Sequence, residues 1–180
     1  MYSYETDNQQ YFSNCNVCTV NSFRKGRQWC ENAVNALSEV GIRLTGGEFR
    51  ANEEITLSDL LMLFYAGIER NSFMPKTDSI LNDLKKNRII DENADLNTSV
   101  TREDAFVYMV KLAGYDRLAS LDIYKLNFPD ADRVSVSKTG HTAILYGMGI
   151  IIGNNGHIRP SDNITRAEAA EMLYRYLLNM

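Results

Sequence analysis

The sequence predicts an all-α fold made of three helix-loop-helix repeats. Three observations support this fold class. A threonine followed three residues later by an acidic residue occurs at three helix starts. Each start is followed by apolar residues spaced three and four apart, and each is preceded by a second apolar segment that ends in a turn. The β-type stretches at residues 134–136 and 150–152 are too short to build a sheet.

The three helix starts share a threonine cap and an acidic residue in the first turn. They are Ile55-Thr56-Leu57-Ser58-Asp59, Val100-Thr101-Arg102-Glu103-Asp104 and Ile164-Thr165-Arg166-Ala167-Glu168. In a capping box, the threonine hydroxyl accepts a backbone N–H that has no partner within the helix, and the acidic side chain reaches back to the cap. The acid also interacts favourably with the positive end of the helix dipole. An α-helix is therefore predicted to begin at each of these motifs.

The segments after the three starts each present one apolar face. Corresponding positions on these faces are Leu60, Phe64 and Gly67 in the first copy, Ala105, Met109 and Leu112 in the second, and Ala169, Leu173 and Tyr176 in the third. Steps of four and three residues keep these side chains on one side of a helix. Three such helices can bury their faces against each other, which predicts a central three-helix bundle.

A second helix is predicted upstream of each start. These helices end at Gly41-Ile42, at Asn87-Arg88-Ile89-Ile90 and at Gly149-Ile150-Ile151, where glycine or asparagine suits a left-handed C-cap. A polar loop then leads to the next helix start. The predicted repeats cover residues 29–70, 76–115 and 128–180, and residues 1–28 form an N-terminal segment outside them.

Composition argues against several functional classes. The chain of 180 residues carries a net charge of -4, whereas nucleic-acid-binding proteins usually present a basic face. No apolar run is long enough to span a membrane, so membrane insertion is not expected. Residues 1–10 lack the basic and apolar regions of a signal peptide, which indicates either a cytoplasmic protein or a piece of a longer secreted chain.

Neither a catalytic site nor a cofactor is expected from the motifs. The sequence lacks the nucleophile elbow, the P-loop, the zinc-protease helix and the dinucleotide fingerprint. Cys15 and Cys18 have the spacing of half a zinc site or of a redox pair, but no second such pair is present. The other interpretation is that these are ordinary thiols and that Cys30 is a small buried residue.

Motifs in the last third of the chain resemble one repeat of the S-layer homology family. They are Phe128-Pro129-Asp130-Ala131, Gly149-Ile150-Ile151-Ile152-Gly153, Gly156-His157-Ile158-Arg159-Pro160 and Ile164-Thr165-Arg166-Ala167-Glu168-Ala169-Ala170. Their order and spacing match the family pattern. The stretch Trp29-Cys30-Glu31-Asn32-Ala33-Val34 resembles the first helix of such a repeat, and the second copy keeps Thr101-Arg102-Glu103.

The resemblance implies a pseudo-threefold spindle of three repeats around a central three-helix bundle. It also implies a non-catalytic module at the cell surface or cell wall. The implied partner is a secondary cell-wall polysaccharide linked to peptidoglycan, whose pyruvylated sugars bind in grooves between repeats. Other surface proteins are further candidate partners.

Four ligand-binding residues follow from the resemblance: Arg166 and Arg102 for the anionic ketal, with Asp130 and Trp29 near the groove. A guanidinium at a helix N-terminus can hold a carboxylate by two hydrogen bonds. The alternatives are that both arginines form salt bridges, that Trp29 is a core residue and that Asp130 caps a turn. Leu57 stands where the first copy should have an arginine, so the groove that uses it is predicted to be silent.

Two other functions stay open at this point. A degenerate repeat array could keep the bundle, lose the sugar grooves and serve as a protein–protein interaction or assembly module. The loop that begins at Asp91 resembles the start of a calcium-binding loop and suggests a dockerin-like adaptor. However, Leu96 stands at its glycine position and Arg102 at its final glutamate position.

Overall fold

A computed structural model describes residues 30–42, 49–69, 77–121 and 123–180. The described residues are helical and contain no β-strand, so the all-α prediction is confirmed. The helices are α1 (Glu31–Glu39), α2 (Leu57–Glu69), α3 (Thr77–Lys86), α4 (Arg102–Leu112), α5 (Asp116–Ala119), α6 (Thr139–Gly147) and α7 (Arg166–Asn179), with short 3₁₀ turns at Ala131–Arg133 and Val136–Lys138.

One hydrophobic core joins the three helices that follow the threonine caps. Helix α2 packs against both α4 and α7. The predicted faces are buried, with Phe64, Met109 and Leu173 at 0% exposure, and only Leu112 is half-buried. Gly67 of α2 lies so close to Leu173 that a Cβ there would overlap the leucine side chain. The small residue thus allows α2 and α7 to pack closely.

The three upstream helices end in the same hydrogen-bonded turn. The N–H of Ile42, Ile89 and Ile150 donates to the carbonyl of Leu37, Leu84 and Leu145 at 2.8, 2.9 and 2.9 Å. This bond defines a Schellman motif, in which the preceding residue adopts a left-handed conformation. Gly41 and Gly149 hold that position with φ of 81° and 70°. In the second copy Arg88 holds it, with φ of 56°, and not Asn87 as the sequence suggested.

The threonine caps have their predicted bonds. The N–H of Asp59, Asp104 and Glu168 donates to the hydroxyl of Thr56, Thr101 and Thr165 at 3.2, 3.3 and 3.3 Å. At Thr165 the reciprocal bond from its own N–H to Glu168 is also present, at 3.0 Å, which completes the capping box. The helix starts were therefore predicted correctly.

Thr165→Ala is expected to lower the free energy of unfolding by about 1 kcal/mol, because the Glu168 N–H loses its acceptor. Thr165→Ser keeps the hydroxyl and should stay close to the parent. Thermal or urea unfolding measures both variants. Equal stability of Thr165→Ala and the parent would contradict the capping role.

Candidate functional site

The three helix starts contact one another in a ring. Antiparallel bridges join Thr56 to Ser99, Thr101 to Asn163 and Thr165 to Glu54. The loop before each helix therefore pairs with the loop before another helix. The ring joins the three predicted repeats, whose number and boundaries stay predictions, as does the complete pseudo-threefold spindle.

The first N–H groups of each helix are used within this ring. In α4, the N–H of Arg102 and Glu103 donates to the carbonyls of Asp162 and Pro160 at 2.8 and 3.1 Å. In α7 the first two N–H groups donate to the carbonyls of Glu53 and Ala51. In α2 they donate to the carbonyls of Thr98 and Leu96. The third N–H of each helix donates to the threonine cap. The first three N–H groups of these helices therefore donate to acceptors within the protein and not to an anion.

Arg166 lies in the interface between the third and first copies. Its guanidinium donates from Nη1 to Asp59 Oδ2 at 2.7 Å and from Nε to the Phe49 carbonyl at 2.9 Å. The residue is 2% exposed. The structure thus gives Arg166 a salt bridge across the ring, and ligand contact by this side chain stays a prediction.

Arg102 has the same arrangement between the second and third copies. Its Nη1 donates to Glu168 Oε1 at 2.6 Å, and its Nε donates to the Ile158 carbonyl at 2.8 Å. The guanidinium also lies over the Phe106 ring, 5.9 Å from its centre. Burial lowers the pKa of Arg102, an effect that Glu168 partly offsets, but an arginine stays charged at neutral pH. Ligand contact by Arg102 also stays a prediction.

The junction between the first and second copies is built differently. Leu57 stands at the arginine position and is buried. Among the described residues, Asp104, the acid of the next helix start, is therefore not paired with an arginine. Lys138 supplies the charge instead, with Nζ 2.7 Å from Asp104 Oδ1 and 2.8 Å from Glu103 Oε1. Burial alone would raise the pKa of Glu103, but bonds from Lys138 and Ser135 outweigh it and lower the pKa.

Asp130 organises the loop that carries Arg159. Its two carboxylate oxygens accept the N–H groups of Ile158 and Arg159 at 3.0 and 2.7 Å. Burial opposes ionisation, but these two bonds prevail and keep the pKa of Asp130 below its usual value. The buried carboxylate therefore holds Arg159 in its left-handed conformation, with φ of 52°.

A groove of about 550 Å³ opens beside this loop. Its lining includes Asp130, Arg133, Asn154, Asn155, His157 and Arg159. The Arg159 side chain is 40% exposed and lies 3.3 Å from Glu168 Oε1, the oxygen that also binds Arg102. Its buried Nε finds no hydrogen-bond partner in the part of the chain that the structure describes. Arg133 is exposed as well. The groove thus presents two guanidinium groups and two amides to solvent.

Sequence reasoning missed Arg159 and a matching residue in the first copy. Arg50 stands at the same distance before α2 as Arg159 stands before α7, and its φ of 47° is also left-handed. Each forms a salt bridge with an acidic residue three positions later, Glu53 or Asp162. Aligning Phe49-Arg50-Ala51 with Ile158-Arg159-Pro160 would have revealed the pair. Trp29, the remaining predicted site residue, lies outside the described residues.

Comparison with known proteins gives one result that bears on this groove. A family model described as the S-layer homology domain matches residues 127–170. This match supports an S-layer homology domain at these residues. No curated protein matches the chain. The residues that line the groove, Arg159 and Asp130 among them, all lie within the matched range.

S-layer homology domains are generally non-catalytic modules that bind cell-wall polysaccharide. The match implies an association with the cell surface or cell wall. None of the described helices is both long and apolar enough to cross a membrane. Within the described ranges, no three His, Cys, Asp or Glu side chains cluster as a metal site. At the calcium-like loop, Asp95 Oδ1 accepts the Asn97 N–H at 3.0 Å.

Proposed function

We propose that this chain anchors to the cell wall by binding an anionic, pyruvylated secondary cell-wall polysaccharide in the groove beside Arg159. The observation that carries this proposal is the position of the groove inside the residues that match the S-layer homology domain, with the 40% exposed Arg159 side chain in its lining. A carboxylate of a sugar ketal fits the planar fork of an arginine, which can donate two parallel hydrogen bonds. The exposed amides of Asn154 and Asn155 can bind sugar hydroxyls.

The groove is preorganised for a ligand. Asn154 and His157 exchange backbone hydrogen bonds of 2.8 and 3.0 Å, which closes the turn that carries Asn155. Asp130 holds the neighbouring part of the loop by accepting the N–H groups of Ile158 and Arg159. Because these loops are already ordered, little conformational entropy is lost when a sugar binds.

Of the two predicted arginines, Arg102 supports the loop that carries Arg159. Arg102 binds the carbonyl of Ile158 and shares Glu168 Oε1 with Arg159, so it positions the loop that carries Arg159. Arg166 has the same relation to the loop of Arg50. In this proposal Arg102 and Arg166 are positioning residues, and Arg159 contacts the ketal. Trp29 stays a sequence-based candidate for sugar contact.

Arg159→Ala is expected to weaken binding of the full chain to purified cell-wall sacculi by about tenfold or more, since a charge-assisted hydrogen bond contributes roughly 1.5–3 kcal/mol. Arg159→Lys should bind less tightly than the parent, because an ammonium lacks the planar fork. Co-sedimentation at constant salt measures all three proteins.

Arg117→Ala is the matched control, because Arg117 is an exposed arginine on α5 outside the groove. It should bind sacculi as the parent does. Sacculi from which the ketal groups have been removed, with the polymer kept, should bind the parent poorly. Equal binding of Arg159→Ala and Arg117→Ala would remove Arg159 from the site, and full binding to ketal-free sacculi would exclude the ketal as the ligand.

One observation favours the protein–protein alternative. The junction between the first and second copies has Leu57 at the helix-start position, and Asp95 stands where the other two copies have Arg50 and Arg159. That junction therefore lacks the two arginines of the others. If the parent chain failed to bind intact sacculi, this alternative would be favoured over polysaccharide binding.

A further inference from the structure

A two-residue turn lies within residues 154–157, in the loop that leads to Arg159. Asn154 and His157 exchange backbone hydrogen bonds of 2.8 and 3.0 Å across it. The two residues between them, Asn155 and Gly156, both have left-handed backbones, with φ of 48° and 80°. Positive φ at both central positions is typical of a type I′ hairpin turn, for which Asn-Gly is a preferred pair. The shape of the turn therefore accounts for the order of these two residues.

The same pair has a chemical weakness. Asparagine is a thermolabile residue, because the backbone nitrogen of the next residue can attack its side-chain amide. That attack meets least hindrance when the next residue is glycine, which has no Cβ. Asn155-Gly156 is the only Asn-Gly pair in the sequence, and both residues are exposed. The space that a Cβ on Gly156 would face is open. Solvent therefore reaches both reacting residues.

The turn leaves the attacking nitrogen available and also activates it. In the described part of the chain, the N–H of Gly156 donates to no hydrogen-bond acceptor. The Nδ1 of His157 lies 3.1 Å from the Asn155 carbonyl oxygen. A carbonyl oxygen only accepts, so Nδ1 carries the hydrogen of this bond. The Asn155 carbonyl and the Gly156 N–H belong to one conjugated peptide group, so a hydrogen bond to the oxygen draws electrons from the nitrogen and favours loss of its proton.

We propose that Asn155 is a modification site, at which the chain deamidates without an enzyme. The deprotonated nitrogen of Gly156 bonds to Cγ of Asn155 and closes a succinimide ring. The bond from Cγ to the side-chain nitrogen breaks, and that nitrogen leaves as ammonia with the proton that Gly156 lost. Water then opens the ring at either carbonyl, which gives aspartate or isoaspartate. Only water is consumed, and no group is oxidised or reduced.

Isoaspartate changes the turn itself. In this product the backbone passes through the former side chain and gains one carbon atom between residues 155 and 156. The two bonds between Asn154 and His157 close a loop of normal length, so a longer loop cannot keep both at their present distances. A Cβ on Gly153 would lie 2.9 Å from the His157 carbonyl oxygen, so the turn has little room to absorb the extra atom on that side.

Both products also add a negative charge to the groove that Arg133, Asn155 and Arg159 line. The effect of this charge on anchoring rests on the function proposed above. A carboxylate at position 155 repels an anionic ketal, and the amide that can bind a sugar hydroxyl is lost. Deamidation therefore weakens wall anchoring as the protein ages.

Peptide mapping by mass spectrometry tests the chemistry on the full chain, incubated at mildly alkaline pH and sampled over time. We expect the amide-to-acid mass gain at Asn155, with isoaspartate among the products, to be several-fold faster than at Asn93. Asn93 is the matched internal control, because it is exposed but is followed by Ala94. Asn155→Gln should stay unmodified, because its longer side chain would have to close a larger ring. A rate at Asn155 no higher than that at Asn93 would overturn the site.

His157→Phe tests the activation of the Gly156 nitrogen. It should slow the reaction at Asn155 by about two- to tenfold, the rate effect of one lost hydrogen bond, and leave the rate at Asn93 unchanged. The bonds that close the turn come from the His157 backbone and not from its ring. An unchanged rate at Asn155 in this variant would show that the histidine does not activate the attack.

Co-sedimentation with sacculi tests the effect on the groove, using fresh chain and deamidated chain separated by ion exchange. The deamidated chain should bind about tenfold less tightly than the fresh chain, the effect of one charge-assisted contact. Asn155→Asp, which adds the charge without lengthening the backbone, should bind less tightly as well. Asn155→Gln should bind equally before and after the same incubation.

The two proposals fail in different ways. If the fresh chain does not bind sacculi, the function proposed above is wrong, and the peptide map still decides whether Asn155 is a modification site. If fresh and deamidated chains bind equally, the modification does not regulate the groove. A loss in the isoaspartate form but not in Asn155→Asp would contradict the role of charge and assign the effect to the turn.

Discussion

Arg166→Ala is expected to lower the free energy of unfolding by about 3 kcal/mol, because it removes one partner of a buried salt bridge. The Arg166 side chain is 3% exposed and Asp59 is 21% exposed, so water replaces the lost bond only in part. The Phe49 carbonyl loses its donor in the same variant. Urea unfolding followed by circular dichroism measures the loss.

Two comparisons make the Arg166 result specific. Arg50→Ala breaks a salt bridge whose side chains are 44% and 54% exposed, and it should cost less than about 1 kcal/mol. The double variant Arg166→Met with Asp59→Leu replaces both charges with apolar groups and should be more stable than Arg166→Ala. A loss in Arg166→Ala no larger than that in Arg50→Ala would show that the salt bridge does not hold the first and third copies together.

Asp130→Ala is expected to cost about 3 kcal/mol, since two N–H groups lose a charged acceptor and each such bond contributes roughly 1.5–3 kcal/mol. The affected groups belong to Ile158 and Arg159. Asp132→Ala is the matched control, because Asp132 is exposed and only two positions away. Equal stability of the two variants would contradict the role of Asp130 in holding the loop.

The same carboxylate predicts a pH dependence of stability. The pKa of Asp130 is lower in the folded protein than its usual value, so its contribution is fully present above about pH 4, the pKa region of an unfolded aspartate. That contribution is lost as the pH falls through the folded pKa. Asp130→Asn, which cannot ionise, should therefore lose less stability between pH 5 and pH 2 than the parent, in acid unfolding measured at constant salt.

Local sequence patterns predicted the helices that follow the threonine caps. The caps at Thr56, Thr101 and Thr165 satisfy backbone groups within one turn, and the apolar steps of three and four set the buried face. Both depend on neighbours in sequence. For the same reason Gly41 and Gly149 correctly marked two helix ends, because the left-handed turn is a local requirement.

The partners of the arginines could not be predicted in this way. Arg166 binds Asp59, and Arg102 binds Glu168. The two residues of each pair lie far apart in the sequence, so no local periodicity predicts that they meet. Motif likeness identified both arginines as ligand candidates, but it did not indicate that their first charge partners are the capping acids of neighbouring copies. Lys138 belongs to no repeated motif, and its place beside Asp104 follows from how the start of α6 packs against α4.

The sequence by itself determined the all-α class, the three capped helices and the likeness of the last third of the chain to an S-layer homology domain, because each depends on residues that lie close together along the chain. Only the tertiary structure decided which cations face solvent. Arg102 and Arg166 are buried by loops from other copies, whereas Arg159 and Arg88 lie at grooves. Exposure depends on how distant segments pack, and a carboxylate supplied by another copy neutralises a buried arginine that looks available in the sequence alone.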